Sequence, residues 1–137
     1  MSKALSTAVR LSDSGGPTAE QVESLGAGWT APEALAIAVY TALTAESMGG
    51  TPQQVVELGL RAAVNHSGDS DATGAMCGNL LGARYGYQGI PEDWAGACEI
   101  AGPVWGLARD FTLEFGPRPP SGPDYYIDPH WAARFHS

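Results

Sequence analysis

The chain writes the same helix opening twice, and that repetition narrows its fold more than any other feature. Thr30-Ala31-Pro32-Glu33 and Thr51-Pro52-Gln53-Gln54 each put a threonine at the N-cap, with an acid or amide three residues on that can reach back to the cap amide. Proline fits a first turn because its missing amide has no helical partner there. Gly49-Gly50 stops the first helix just before the second begins. The first is expected to run from about residue 31 to 47, with Leu35, Val39, Ala42 and Leu43 as its apolar stripe and Ile37 adding burial on a second side. The second reaches about residue 63 and carries Val55, Val56, Leu60 and Ala63.

A third long helix is predicted over residues 72–85. Gly74, Gly78 and Gly82 fall four apart there and share one face. Each costs roughly 1 kcal/mol of helix stability, so that face is expected to be approached closely by another helix. Shorter helices are predicted over 2–12 and 18–26, the latter capped by Thr18 and stopped by Gly26. Residues 86–94 read as a turn into a short helix that Pro91 begins. Residues 96–114 read as helical, bent or interrupted at Gly102-Pro103. The tail, 116–137, holds five prolines and is expected to form no regular element, while Tyr125, Tyr126, Trp131 and Phe135 favour its docking. No long alternating strand pattern occurs, so the fold class is all-α and compact. The expected organisation is an N-terminal extension or short helix at 1–17, a helical domain at 18–115 and the Pro-rich aromatic tail at 116–137.

Of the 137 residues only 16% are charged, against a usual quarter, and 44% are hydrophobic. This points to closely packed helices or to a piece of a larger core. A net charge of −8 argues against binding bare nucleic acid through its backbone, although a bound metal can invert the local field for a phosphate-bearing ligand. The opening residues lack a signal-peptide pattern, and no run of eighteen apolar residues occurs, so no membrane span is expected. Cys77 and Cys98 lie in apolar helical patterns and are expected to be buried free thiols of a reducing, cytoplasmic compartment.

The chemistry concentrates in His66-Ser67-Gly68-Asp69-Ser70-Asp71-Ala72-Thr73-Gly74-Ala75. Asp69 and Asp71 sit just before the third long helix, where i,i+2 spacing in an extended or turn backbone aims both side chains one way. Three readings are open: a helix cap formed by Asp71 or Ser70, a surface turn, or half of a metal site. Carboxylates are favoured at a helix N-terminus. A hard cation needs several oxygen ligands, of which Asp69, Asp71 and a hydroxyl make three. His66 is either a hydrogen-bonded structural residue, or one that orients Asp69 or contacts substrate. Trp29 reads as a core or hinge residue, and Tyr85 and Tyr87 as closing a core or lining a pocket.

Three blocks, residues 26–43 (GAGWTAPEALAIAVYTAL), 63–86 (AVNHSGDSDATGAMCGNLLGARYG) and 89–94 (GIPEDW), together resemble the C-terminal half of the ADP-ribosylglycohydrolase family. The resemblance implies an all-α domain with two magnesium or manganese ions in a cleft, and hydrolysis of the N- or O-glycosidic bond between ADP-ribose and a protein side chain. One ligand set would come from a Thr-Asp-Asp motif in the first half, which this sequence lacks. The other would be Asp-x-Asp-Ser/Thr, matched by Asp69 and Asp71, with Ala72 standing where the ligand hydroxyl belongs and Thr73 and Ser70 the nearest replacements. The resemblance thus implies metal ligands Asp69, Asp71 and Thr73 and substrate contacts from His66, Ser67 and Gly68. It assigns no catalytic residue. The implied ligands are ADP-ribose or an ADP-ribosylated protein. The chain alone is expected to bind metal weakly and to be inactive, and to pair with a second copy or with a partner carrying the missing half. The competing reading is a non-catalytic helical interaction protein.

Overall fold

A computed structural model describes residues 3–121 and 129–135. Among these residues there are eight α-helices, one 3-10 turn and no strand. They divide into two compact units, residues 1–94 and 95–137.

In the first unit, α1 (Lys3–Ser12), α2 (Ala19–Ser24), α3 (Ala31–Met48), α4 (Pro52–Val64) and α5 (Ser70–Tyr85) follow in order, then a 3-10 turn (Tyr87–Gly89); α6 (Glu92–Ala97) spans the division at residue 94. Thr18 caps α2 by accepting from the Gln21 amide, and Thr51 and Gln54 form the full reciprocal capping box on α4. The matching box expected at Thr30 does not form, because the Thr30 side chain makes no cap bond. Glu33 lies back against Gly26 instead, in space that a Cβ there would fill.

The long helix α3 is the centre of the unit and packs against α1, α4 and α5. Ala36, Ile37 and Tyr40 join Ala8, Val22 and Leu25 in one core cluster. Ala38, Ala42 and Ala45 join Val55, Val56, Ala63, Cys77 and Leu81 in another. The stripe that periodicity selected is therefore mostly the wrong side: Leu35 and Leu43 are 37% and 38% exposed. α3 is apolar almost all round, so the pattern alone cannot choose its buried face.

The glycine expectation also shifts. A Cβ on Gly74 would meet Val64 at 2.7 Å and one on Gly78 would meet Leu60 at 3.6 Å, but nothing lies within 4 Å of Gly82. An equally tight crossing, where α3, α4 and α5 meet, is at Gly59 of α4: a Cβ there would stand 2.7 Å from Leu81 and 3.4 Å from Ala45. Cys77 is buried as expected, but Cys98 is exposed; both are free thiols. Trp29 is 72% exposed, not a core residue. Tyr85 packs against the core and Tyr87 is exposed.

The second unit holds α7 (Ala101–Glu114) and α8 (Pro129–Phe135). Gly102-Pro103 does not interrupt α7 but lies in its first turn, where helix amides lack partners in any case. The tail does contain a regular element, since α8 starts at Pro129 and its Arg134 pairs with the buried Asp110 of α7. Trp131 is half-buried, whereas Tyr125 and Tyr126 and the side chain of Phe135 lie outside the described residues. Among the described residues no helix is long and apolar enough to cross a membrane.

Candidate functional site

The acidic motif lies in the connection from α4 to α5 and across the first turn of α5. The helix starts two residues earlier than the sequence pattern suggests, so Asp69 is its N-cap and Asp71 lies inside its first turn. Neither the cap reading of Asp71 nor that of Ser70 holds. The Asp69 side chain makes no cap bond, Asp71 Oδ1 accepts from the Ala72 amide at 2.9 Å, and Ser70 Oγ donates to the Val64 carbonyl at 2.9 Å.

The two carboxyls are within hydrogen-bonding reach of each other. That contact with Asp71 is the main cause that raises Asp69 above the ordinary carboxylate range, followed by partial desolvation and repulsion from the neighbouring charge. The same hydrogen bond, with help from the Ala72 amide, lowers Asp71. The two neighbouring acids thus titrate as a pair, Asp71 giving up its proton before Asp69.

Tested against a hard divalent cation, this donor set fits in kind. Two carboxylates stand together at the positive end of a helix, and a cation there would relieve their mutual repulsion. It falls short in number. Among the described residues no group of three or more His, Cys, Asp or Glu is placed to hold a metal ion.

Thr73 is turned inward. It is fully buried, its hydroxyl donates to the Ala63 carbonyl at 2.7 Å, and it stands 3.0 Å from His66 Nε2. His66, half-buried, accepts from the Gly68 amide at Nδ1, 3.0 Å away. Ser67 is exposed, with Oγ 3.4 Å from Glu23 Oε1. Gly68 presses directly on the backbone of Ala27: a Cβ there would stand 1.9 Å from the Ala27 carbonyl oxygen. Asp69, Asp71, His66, Ser67 and Gly68 thus share one loop, with the Thr73 hydroxyl beneath it.

Sequence reasoning missed the second loop that supports this one. The Asp69 amide donates to the Ala27 carbonyl at 2.8 Å, and Gly28 leaves room for Thr73 and Asp69. The signal was present in Gly26 and Gly28, whose φ of 119° and 79° form a turn that L side chains rarely adopt. Exposed Trp29 follows this turn directly.

Comparison with known proteins aligns residues 1–120 with the family described as ADP-ribosylglycohydrolase, a match that takes in α1 as well as the blocks named above. The chain is 32% identical over 95 residues to ADP-ribosylhydrolase ARH3 of Danio rerio, covering 66% of this chain and 25% of that protein. It is 55% identical over 31 residues to ADP-ribosyl-dinitrogen reductase glycohydrolase of Rhodospirillum rubrum, covering 23% of this chain and 10% of that protein. The matched part is thus a quarter or less of the length of these curated relatives. No solved structure matches.

Proposed function

Because the chain belongs to the ADP-ribosylglycohydrolase family, we propose that its Asp69–Asp71 loop is one side of a magnesium or manganese site serving hydrolysis of the glycosidic bond between ADP-ribose and a protein side chain. The observation that carries this reading is the placement of two neighbouring carboxyls, Asp69 at the N-cap and Asp71 in the first turn, at the exposed start of α5. Bound there, the metal would position the ribose and polarise an attacking water. The chain's own part is narrower. Asp69 and Asp71 would hold the ion, and the exposed Ser67 hydroxyl offers a contact to substrate. The Gly68 amide is occupied by His66, and the Thr73 hydroxyl is committed to Ala63. With two ligands, the chain alone binds metal weakly and turns over no substrate. The test is release of ADP-ribose from ADP-ribosylated arginine or serine peptides with added magnesium or manganese. Robust turnover by this chain alone would overturn the half-site reading, as would micromolar manganese affinity that Asp71→Asn abolishes.

A second reading, an interaction subunit, has its own observation. Leu35 and Leu43 of α3 and Leu80 of α5 are each more than a third exposed. Val39, Ala42, Leu43, Leu80 and Leu81 line a shallow groove of about 170 Å³, rimmed by Glu46 and Arg84. Such a strip fits a helix from a second copy or from a polypeptide carrying the rest of the family domain. Light scattering on the eluting protein distinguishes an assembly from a well-behaved monomer, and a monomer binding no apolar dye would remove this reading. The free thiols support a reducing, cytoplasmic setting.

A further inference from the structure

We propose that His66 is the positioning residue of the acidic loop, held as the Nε2–H tautomer by a one-way chain of hydrogen bonds running from the Gly68 amide to the Ala63 carbonyl. The direction follows from counting protons. The Gly68 amide donates to Nδ1 at 3.0 Å, so Nδ1 carries no proton. A neutral ring then holds its proton on Nε2, 3.0 Å from Thr73 Oγ1. That oxygen accepts from the ring and gives its own proton to the Ala63 carbonyl, 2.7 Å away. Reversing the Thr73–His66 bond would take the hydroxyl proton away from this carbonyl. Only the Nε2–H tautomer uses every donor, and of the carbonyls within reach of the Thr73 hydroxyl that of Ala63 is nearest, those of Asp69 and Ser70 lying 3.1 and 3.3 Å away.

The ring therefore ties the end of α4, through Ala63, to the first turn of α5, through Thr73, and fixes the loop between them. What it fixes is Gly68, the residue before Asp69. With Gly68 set against Ala27, the Asp69 amide reaches the Ala27 carbonyl at 2.8 Å. The clamp thereby sets the backbone from which the Asp69 side chain leaves. The consequence for metal binding rests on the reading of Asp69 and Asp71 as ligands; the tautomer and the clamp do not.

The bond from residue 66 to the amide of residue 68 has the span of an Asx-turn, in which an asparagine oxygen accepts from the amide two residues on. His66→Asn should therefore keep the Gly68 leg of the clamp and lose the Thr73 leg, whereas His66→Ala loses both. The experiment uses the full chain labelled with 15N. Ring nitrogen spectra should show Nδ1 unprotonated and Nε2 protonated. Hydrogen exchange at the Gly68 and Asp69 amides should rise about tenfold in His66→Ala, for one lost hydrogen bond of roughly 1.4 kcal/mol, and return towards wild type in His66→Asn. Millimolar manganese should broaden the amides of residues 69–72, with affinity about tenfold lower in His66→Ala, recovery in His66→Asn and no broadening in Asp71→Asn. An Nδ1–H tautomer, or Gly68 exchange unchanged by His66→Ala, overturns the proposal. Broadening that survives Asp71→Asn, or none in wild type, overturns the metal reading instead, and the tautomer and exchange still decide the role of His66. Should His66→Ala fail to fold, Thr73→Val removes the acceptor of Nε2–H, and Gly68 exchange unchanged in that variant overturns the clamp equally.

Discussion

Replacing Gly68 by alanine adds one methyl group at the most crowded point between the two loops of the candidate site. The new Cβ would lie 1.9 Å from the carbonyl oxygen, 2.6 Å from the carbonyl carbon and 2.8 Å from the Cα of Ala27. All three are backbone atoms, so no change of rotamer relieves the clash. Ordinary contact begins at 3.4 Å, and the loops would have to part by about 1.5 Å, the difference between that distance and the closest approach. Parting them breaks the Asp69–Ala27 hydrogen bond, now 2.8 Å long, at a net cost of about 1 kcal/mol. Overpacking adds roughly 1–3 kcal/mol. Gly68→Ala should therefore destabilise by about 2–4 kcal/mol, which for a unit of this size lowers Tm by roughly 10–25 °C. Thermal unfolding followed by far-ultraviolet circular dichroism reads this directly. Gly78→Ala is the matched control, since its Cβ would meet only the flexible end of Leu60 at 3.6 Å. If Gly68→Ala melts with the wild type, the two loops do not touch as described, and the argument that Ala27 supports Asp69 fails with them.

The other expectations are smaller. Gly82→Ala, in an exposed helix position with nothing within 4 Å, should stabilise by roughly 0.5–1 kcal/mol, and an equal or lower denaturant midpoint would refute it. Thr73→Val keeps the buried volume but strands the Ala63 carbonyl and the His66 Nε2–H, so a loss of about 1–3 kcal/mol is expected in urea unfolding. The Arg84 guanidinium beside Glu46 holds that carboxyl below its usual range. Its stabilising contribution is present above the ordinary glutamate value and lost as pH falls towards the lowered one. Glu46→Gln should therefore flatten the Tm profile between about pH 5 and 3, with the difference from wild type vanishing at the acid end; parallel profiles would show that the pair contributes nothing.

The all-α class, most helix ends and the caps at Thr18 and Thr51 were legible in the sequence, because each is decided within four or five residues. A proline in a first turn or a glycine pair after a last one acts on its own neighbours only. The acidic motif was legible for the same reason, since its residues are nearly consecutive and fold into one loop. Three features were decided by tertiary structure alone. The buried face of α3 depends on α1, α4 and α5, since a helix apolar almost all round carries no periodicity that selects a side. The close crossing at Gly59 lies off the regular glycine row of α5, whose Gly74 meets Val64 just as closely, because it is set by where Leu81 and Ala45 come from across the core. The inward turn of Thr73 and the seating of Asp69 on Ala27 depend on backbone groups supplied by other turns of the chain. Such contacts satisfy buried polar groups. No local pattern encodes them, because the partner that satisfies each group is brought near only by folding.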